Sequence, residues 1–387
     1  MICSLGGFCL NWLVKKYKEI SNKHKGFYFF IGFCFIFSMV FVHNNHLFYE
    51  RSIAKVKEAK LQETVDVTDI HGNEDKLFTQ NIIAELKNGE NKGELISLTN
   101  EYSLSGAYDQ EYHVGNELFV SIDSTEDSTT LSGSIRDVKR DKYILFISWI
   151  FIFVLLIVGK KQGLLSIISL IVNAALLSFA LDIYLNTSGI SLLFLCSISA
   201  ILFTIISLLL VNGLNGKTYA AIIATLLGTS SSLIITILVM FLTSEKGLRY
   251  EEMQFLTQPP QIVFMAGVLV GSLGAVMDVA ITMSSSIFGL FEENNKISIK
   301  ALKKSGLEIG KDIMGTMTNI LFFAYVSGSI PMLVLFLKNA SPLGYTLSMN
   351  LSLELTRALA GGIGIVLTIP LGLYTSLFFI NRMRAKI

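Results

Sequence analysis

The chain has 387 residues, 52% of them hydrophobic and 16% charged, with a net charge of +1 and a mean hydropathy of +0.58. A soluble domain reaches roughly 45–50% apolar residues only when glycine is counted, so water is excluded as the main solvent of this chain. The charge is unevenly spread: residues 43–141 hold 10 Lys/Arg against 19 Asp/Glu, a net of −9, and the remainder holds 21 against 11, a net of +10. None of the four cysteines, Cys3, Cys9, Cys34 and Cys196, lies in the acidic block, which excludes a disulfide framework there.

In chain order, a tail over 1–25 with Lys15, Lys16, Lys18, Lys23 and Lys25 precedes a first apolar run, Gly26 to Val42 (26–42). His43-Asn44-Asn45-His46 follows without a small-residue cleavage site, so this run is expected to be a retained signal anchor. The acidic block, 43–141, has strand character at Thr64–Thr68, Ile82–Leu86, Glu94–Leu98 and Glu117–Ile122. Lys87–Gly93, with its Asn-Gly and Lys-Gly steps, suits a hairpin loop between the second and third of these. A small β-barrel or sandwich is expected.

A helix needs roughly 20 apolar residues to cross about 30 Å of hydrocarbon. Seven more runs of that kind fill residues 142–387, at Tyr143–Gly159, Gly163–Leu185, Ile190–Val211, Tyr219–Leu242, Ile262–Ser284, Met314–Leu337 and Leu355–Ile380. The expected fold is therefore a polytopic α-helical membrane protein of about eight transmembrane helices, with a small β-rich extracytoplasmic domain between the first and second spans. Orientation follows from lysine and arginine in short loops. The N-terminal lysines, Lys160, Lys161, Lys217, Lys296, Lys300, Lys303, Lys304, Lys311, Arg382, Arg384 and Lys386 all fall on one side, whereas the other side has Lys246, Arg249 and Lys338. Both termini are expected in the cytoplasm of a cell whose membrane carries the acidic domain on its outer face.

Several spans carry polar faces. In the sixth, Gly267, Gly271, Gly274, Asp278, Thr282, Ser285 and Gly289 recur at steps of three and four, which puts them within about 80° of arc at 100° per residue. The small residues suit close helix packing, as does Gly361 in the eighth span. A carboxylate in a span, here Asp278, points to function unless it is paired, protonated or wet. In the seventh span Asp312, Thr316 and Asn319 share a face. Asp312 also fits an ordinary first-turn carboxylate favoured by the helix dipole. Glu354 and Arg357 are spaced for an i, i+3 ion pair. The fifth span adds Thr225, Gly228, Thr229, Ser232 and Thr236, the third adds Asn173, and a common polar interior is expected.

Gly271-Ser272-Leu273-Gly274-Ala275-Val276-Met277-Asp278-Val279-Ala280, Gly310-Lys311-Asp312-Ile313-Met314-Gly315-Thr316-Met317-Thr318-Asn319 and Gly361-Gly362-Ile363-Gly364-Ile365-Val366-Leu367-Thr368-Ile369-Pro370, with Asn212 to Thr218, resemble the YibE/F-like family of bacterial multi-pass membrane proteins. The resemblance covers roughly residues 55–380 and departs from the family pattern at Lys311, where arginine is expected. The outer domain resembles the longer, YibE-like member, which implies a hetero-complex with a shorter YibF-like relative or a homo-oligomer, in a lipid bilayer. It implies no substrate.

An enzyme is not expected. All five histidines, His24, His43, His46, His71 and His113, precede the second span, and Gly216-Lys217-Thr218 lacks the upstream glycine of a phosphate-binding loop, Val211 standing there. Met277, Met314 and Met317 are read as flexible packing before soft-metal ligands. No cofactor, metal or nucleic-acid partner is expected. The leading expectation is a transporter or channel subunit for a small solute or ion, with Asp278, Thr282, Asp312, Thr316 and Asn319 along the pathway. The alternative is a membrane scaffold or accessory subunit whose outer domain binds a protein or envelope component.

Overall fold

The computed structural model describes residues 22–106, 109–123, 131–187, 189–253 and 258–385. The expected N-terminal tail lies largely outside them. The elements are α1 (Asn22–His43), a 3-10 turn (Asn45–Phe48), β1 (Ser52–Thr68), β2 (Glu74–Leu86), β3 (Leu95–Ser103), β4 (Glu117–Asp123), β5 (Leu131–Val138), α2 (Asp141–Asn186), α3 (Leu192–Asn212), α4 (Gly216–Thr243), a 3-10 turn (Tyr250–Glu252), α5 (Pro260–Glu293), α6 (Ile299–Lys338) and α7 (Leu343–Arg384). The chain divides into two compact units between Val154 and Leu155.

In the first unit the five strands close into a barrel in the order β1-β2-β3-β5-β4, with β4 returning to pair Ser52–Lys55 of β1. Every pairing is antiparallel except β3 with β5. This is the topology of an OB-type barrel. Period-two alternation turns Gln80, Ile82, Ala84 and Leu86 of β2 and Ile96, Leu98 and Asn100 of β3 inward. The expected Lys87–Gly93 loop joins β2 to β3, with Gly89 and Gly93 at φ +81° and +94°, a region that favours glycine. Its Asn88 is buried, and its Oδ1 accepts from the Ile53 amide at 2.6 Å while its Nδ2 donates to the carbonyls of Tyr49 and Arg51. Gly133 of β5 passes so close to the Ser121 backbone that a Cβ there would collide with it. The sequence reading located β2, β3, β4 and the distal end of β1, but not β5 or the first half of β1.

Beneath the barrel lies a buried ion network. Lys139 is 2% exposed; its Nζ is 3.3 Å from Glu117, 3.0 Å from Asp141, and donates to the carbonyl of Val42 at 3.1 Å. Asn45 and the Tyr49 hydroxyl each donate to Asp141 at 3.0 Å. Further along, Trp149 donates to Ser38 at 2.8 Å and packs edge-on against Phe35, which ties α1 to the start of α2.

Among the described residues six helices are long and apolar enough to cross a membrane, and a shorter apolar stretch occupies Phe29–His43 of α1. The expected eight spans do not emerge as eight separate helices. The second and third fall together in the 46-residue α2, which is interrupted at Lys160 by a φ of 49° and a ψ of −123°. Eight residues of straight helix rise about 12 Å, yet a Cβ on Gly163 would collide with the Leu155 carbonyl, so the chain doubles back locally at Lys160.

In the second unit α7 packs on α4, α5 and α6. Small residues set these seams: a Cβ at Gly228 would strike Thr368, one at Gly361 would strike Leu321, and one at Gly310 would strike Ile369. Helices α5, α6 and α7, of 34, 40 and 42 residues, outrun their apolar stretches. The extra length of α6 starts at a capping Ser298, whose Oγ accepts from the Ala301 amide at 3.1 Å.

Candidate functional site

The buried face of α5 is apolar, with Phe264, Val268, Val276, Val279, Met283 and Ile287 packed into the unit. Helical periodicity then turns the small and polar stripe the other way: Gly267, Gly271, Gly274, Asp278, Thr282 and Gly289 are exposed and Ser285 is half-buried. Asp278 has no hydrogen bond or ion pair to a described residue. A Cβ on Gly274 would meet nothing within 4 Å, whereas one on Gly271 would collide with the Tyr325 hydroxyl of α6.

Helix α6 repeats the pattern. Gly306, Gly310 and Leu321 are buried, while Asp312, Thr316 and Asn319 are exposed. Thr316 bonds only its own helix, donating to the Ile313 carbonyl at 2.9 Å. Asp278 with Gly274, and Asp312 with Thr316 and Asn319, thus lie on open stretches of their helices, while Gly271 and Gly267 earlier in the α5 stripe meet Tyr325 and Arg357. The common interior belongs instead to α4, α5 and α7: Thr225, Thr229, Ser232 and Thr236 of α4 and Ala360, Gly364, Thr368 and Ser376 of α7 are all buried, Ser232 lies against Ala360 and Gly364, Gly228 against Thr368, and Ser376 against Ser284 of α5. Their hydroxyls are satisfied: Ser232 donates to the Ala360 carbonyl at 2.5 Å, and Thr225, Thr368 and Ser376 donate back one turn within their helices. Asn173 of α2 reaches Ser207 of α3 at 2.7 Å. This interior is a packed seam.

Glu354 and Arg357 of α7 are bonded to one another, as their spacing suggests. The Arg357 guanidinium lies 5.4 Å over the ring of Phe264, which also packs edge-on against the ring of Tyr250 at 6.2 Å. The Arg357 Nε faces Gly267. Sequence reasoning passed over Tyr250, Glu252, Tyr325 and Lys139, because none stands in a periodic stripe and only tertiary packing gives them neighbours. Among the described residues no three His, Cys, Asp or Glu side chains are placed to hold a metal ion.

Six long apolar helices with glycine- and hydroxyl-lined seams, following an OB-type barrel in the chain, define a multi-helix membrane protein with a β-rich appended domain. The YibE/F-like protein family matches residues 147–382, and the YibE/F family N-terminal domain matches residues 47–138. The chain belongs to the YibE/F-like family. No curated protein and no solved structure gives a match.

Proposed function

We propose that this protein is a subunit of a transporter or channel for a small solute or ion, whose pathway forms where the Asp278 face of α5 and the Asp312–Asn319 face of α6 meet a second subunit. That subunit is a second copy or a shorter YibF-like relative. The chain crosses the cell membrane eight times, α2 contributing two crossings around Lys160, with the barrel outside and both termini in the cytoplasm. The observation carrying this reading is the exposure of Asp278 among glycines. At the centre of a span a carboxylate facing lipid costs about 2.5–3.5 kcal/mol, so a surface that carries one favours a wet or protein-covered environment. Gly274, open in the single chain, lets a neighbouring backbone come close.

The test compares wild type, Asp278→Asn and Gly274→Leu for oligomeric state in detergent and for thermal shifts across a panel of monovalent and divalent cations. Ligands that bind the folded state raise its melting temperature by mass action. Wild type is expected to show a saturable shift with one cation, Asp278→Asn to keep the assembly and lose the shift, and Gly274→Leu to lose the assembly. If no cation shifts wild type and Asp278→Asn disrupts assembly as severely as Gly274→Leu, the face serves a scaffold or accessory role instead.

A further inference from the structure

The turn Tyr250–Glu252 is pinned to the start of α7. The Arg249 amide donates to the Ser352 hydroxyl at 3.1 Å, and Tyr250 packs on Phe264, which Arg357 covers from its own side. Within this cluster two polar atoms are buried without a hydrogen-bond partner among the described residues: Glu252 Oε2 and Arg357 Nε. The Tyr250–Glu252 turn packs directly on α7. Glu354 occupies the Arg357 guanidinium, and Glu252, half-buried with Oε2 shut off from water, carries a second carboxylate into the same contact. A buried carboxylate without a partner is neutralised most cheaply by a proton.

We propose that Glu252, with Glu354 and Arg357, forms a proton-binding site that fastens the Tyr250–Glu252 turn to α7. The surrounding groups agree. Loss of hydration and the Glu354 charge push the Glu252 carboxyl up, to about 7, and Arg357 alone opposes them. On the turn itself Tyr250 is also pushed up by burial and by Glu245, just past the end of α4, which accepts its hydroxyl hydrogen bond. From α5 the cluster meets the ring of Phe264 and the backbone at Gly267, neither of them charged. The docked turn binds a proton more tightly than the free turn does. Docking is therefore strongest in acid and weakens as pH rises from about 4.5 to about 7. The turn thereby becomes a pH-linked contact of the bundle, independent of whether Asp278 lines a pathway.

The test is a pH titration of the full-length protein by infrared difference spectroscopy, following the carbonyl band of protonated carboxylic acids. Wild type is expected to lose one such band near pH 7, and Glu252→Gln to lack it. Glu354→Gln removes a repelling charge and moves the titration to lower pH, whereas Arg357→Gln removes an attracting one and moves it to higher pH. Should Arg357→Gln fail to fold, Glu354→Gln decides alone. The assignment is overturned if the band persists in Glu252→Gln, if no band titrates in wild type between pH 5 and 8 (about a unit or two either side of 7), or if Glu354→Gln leaves the midpoint unmoved. Asp278→Asn is expected to keep the band, which separates this site from the pathway reading.

Discussion

At the base of the barrel, Lys139 is almost wholly buried, and the charges around it have partners: Glu117 and Asp141 flank the ammonium, Asn45 and Tyr49 donate to the same Asp141 oxygen, and the Lys142 amide donates to the other. On α5, a helix apolar enough to cross a membrane, Asp278 stands exposed with no described partner. Both are charges in or beside apolar surroundings. The first is closed within the chain and so reads as structural; the second is left open and so reads as a place where something outside the chain has to supply the missing contacts.

The sharpest way to break this comparison is to open the closed network. Lys139→Met leaves Asp141 without its ammonium and Glu117 with only the His46 ring, 3.3 Å away, beside it, and removing one partner of a buried ion pair costs about 3–5 kcal/mol. Denaturant unfolding of the full-length protein is expected to show that loss. A change under about 1 kcal/mol, the range of a surface pair, would show that the network is not what holds the barrel base.

A second contrast separates glycines that the sequence could not tell apart. Gly361 is closed against Leu321 inside the chain, so Gly361→Leu overpacks the α6–α7 seam and is expected to destabilise the fold by about 1–3 kcal/mol or more. Gly274 is open, and Gly274→Leu is expected to leave monomer stability within about 0.5 kcal/mol. Thermal melts of the two variants at low protein concentration measure both. Equal losses would place Gly274 against a neighbour within its own chain.

The smallest effect belongs to a three-residue ion cluster on the barrel surface. Glu85 is held down, to about 2, first by Lys57 and then by Lys87, from an ordinary value of 4.5. A depressed carboxylate contributes stability above its unfolded pKa and loses it as pH falls through the folded one. The contribution is therefore complete above about 4.5 and disappears toward about 2. Glu85→Gln is expected to flatten the acid limb of the stability profile slightly in that window, as followed by barrel circular dichroism. An unchanged acid limb would show that Lys57 and Lys87 hold Glu85 too loosely to matter.

The α5 stripe was legible because periodicity alone puts Gly267, Gly271, Gly274, Asp278 and Thr282 on one face. Which way that face points was not. A helix's orientation about its axis is fixed by the packing of its apolar side, here Phe264, Val268, Val276 and Met283, and that packing is written in residues of other helices. Strand β5 went unread for a related reason: Leu131-Ser132-Gly133-Ser134-Ile135-Arg136-Asp137-Val138 is polar and weakly alternating. It becomes a strand because β3 and β4 offer it hydrogen bonds on both edges.

By itself the sequence determined the solvent of the molecule, the existence of a β-rich acidic domain, the family and the linear position of nearly every apolar segment, because hydropathy and period are local properties of a chain. Tertiary structure decided the rest. It doubled the chain back at Lys160, closed five strands into a barrel, buried Lys139 among its partners, and packed the Tyr250–Glu252 turn on the helix that carries Glu354 and Arg357, more than a hundred residues on in sequence. Pairing and burial of charge depend on distances through space, and no local pattern encodes those.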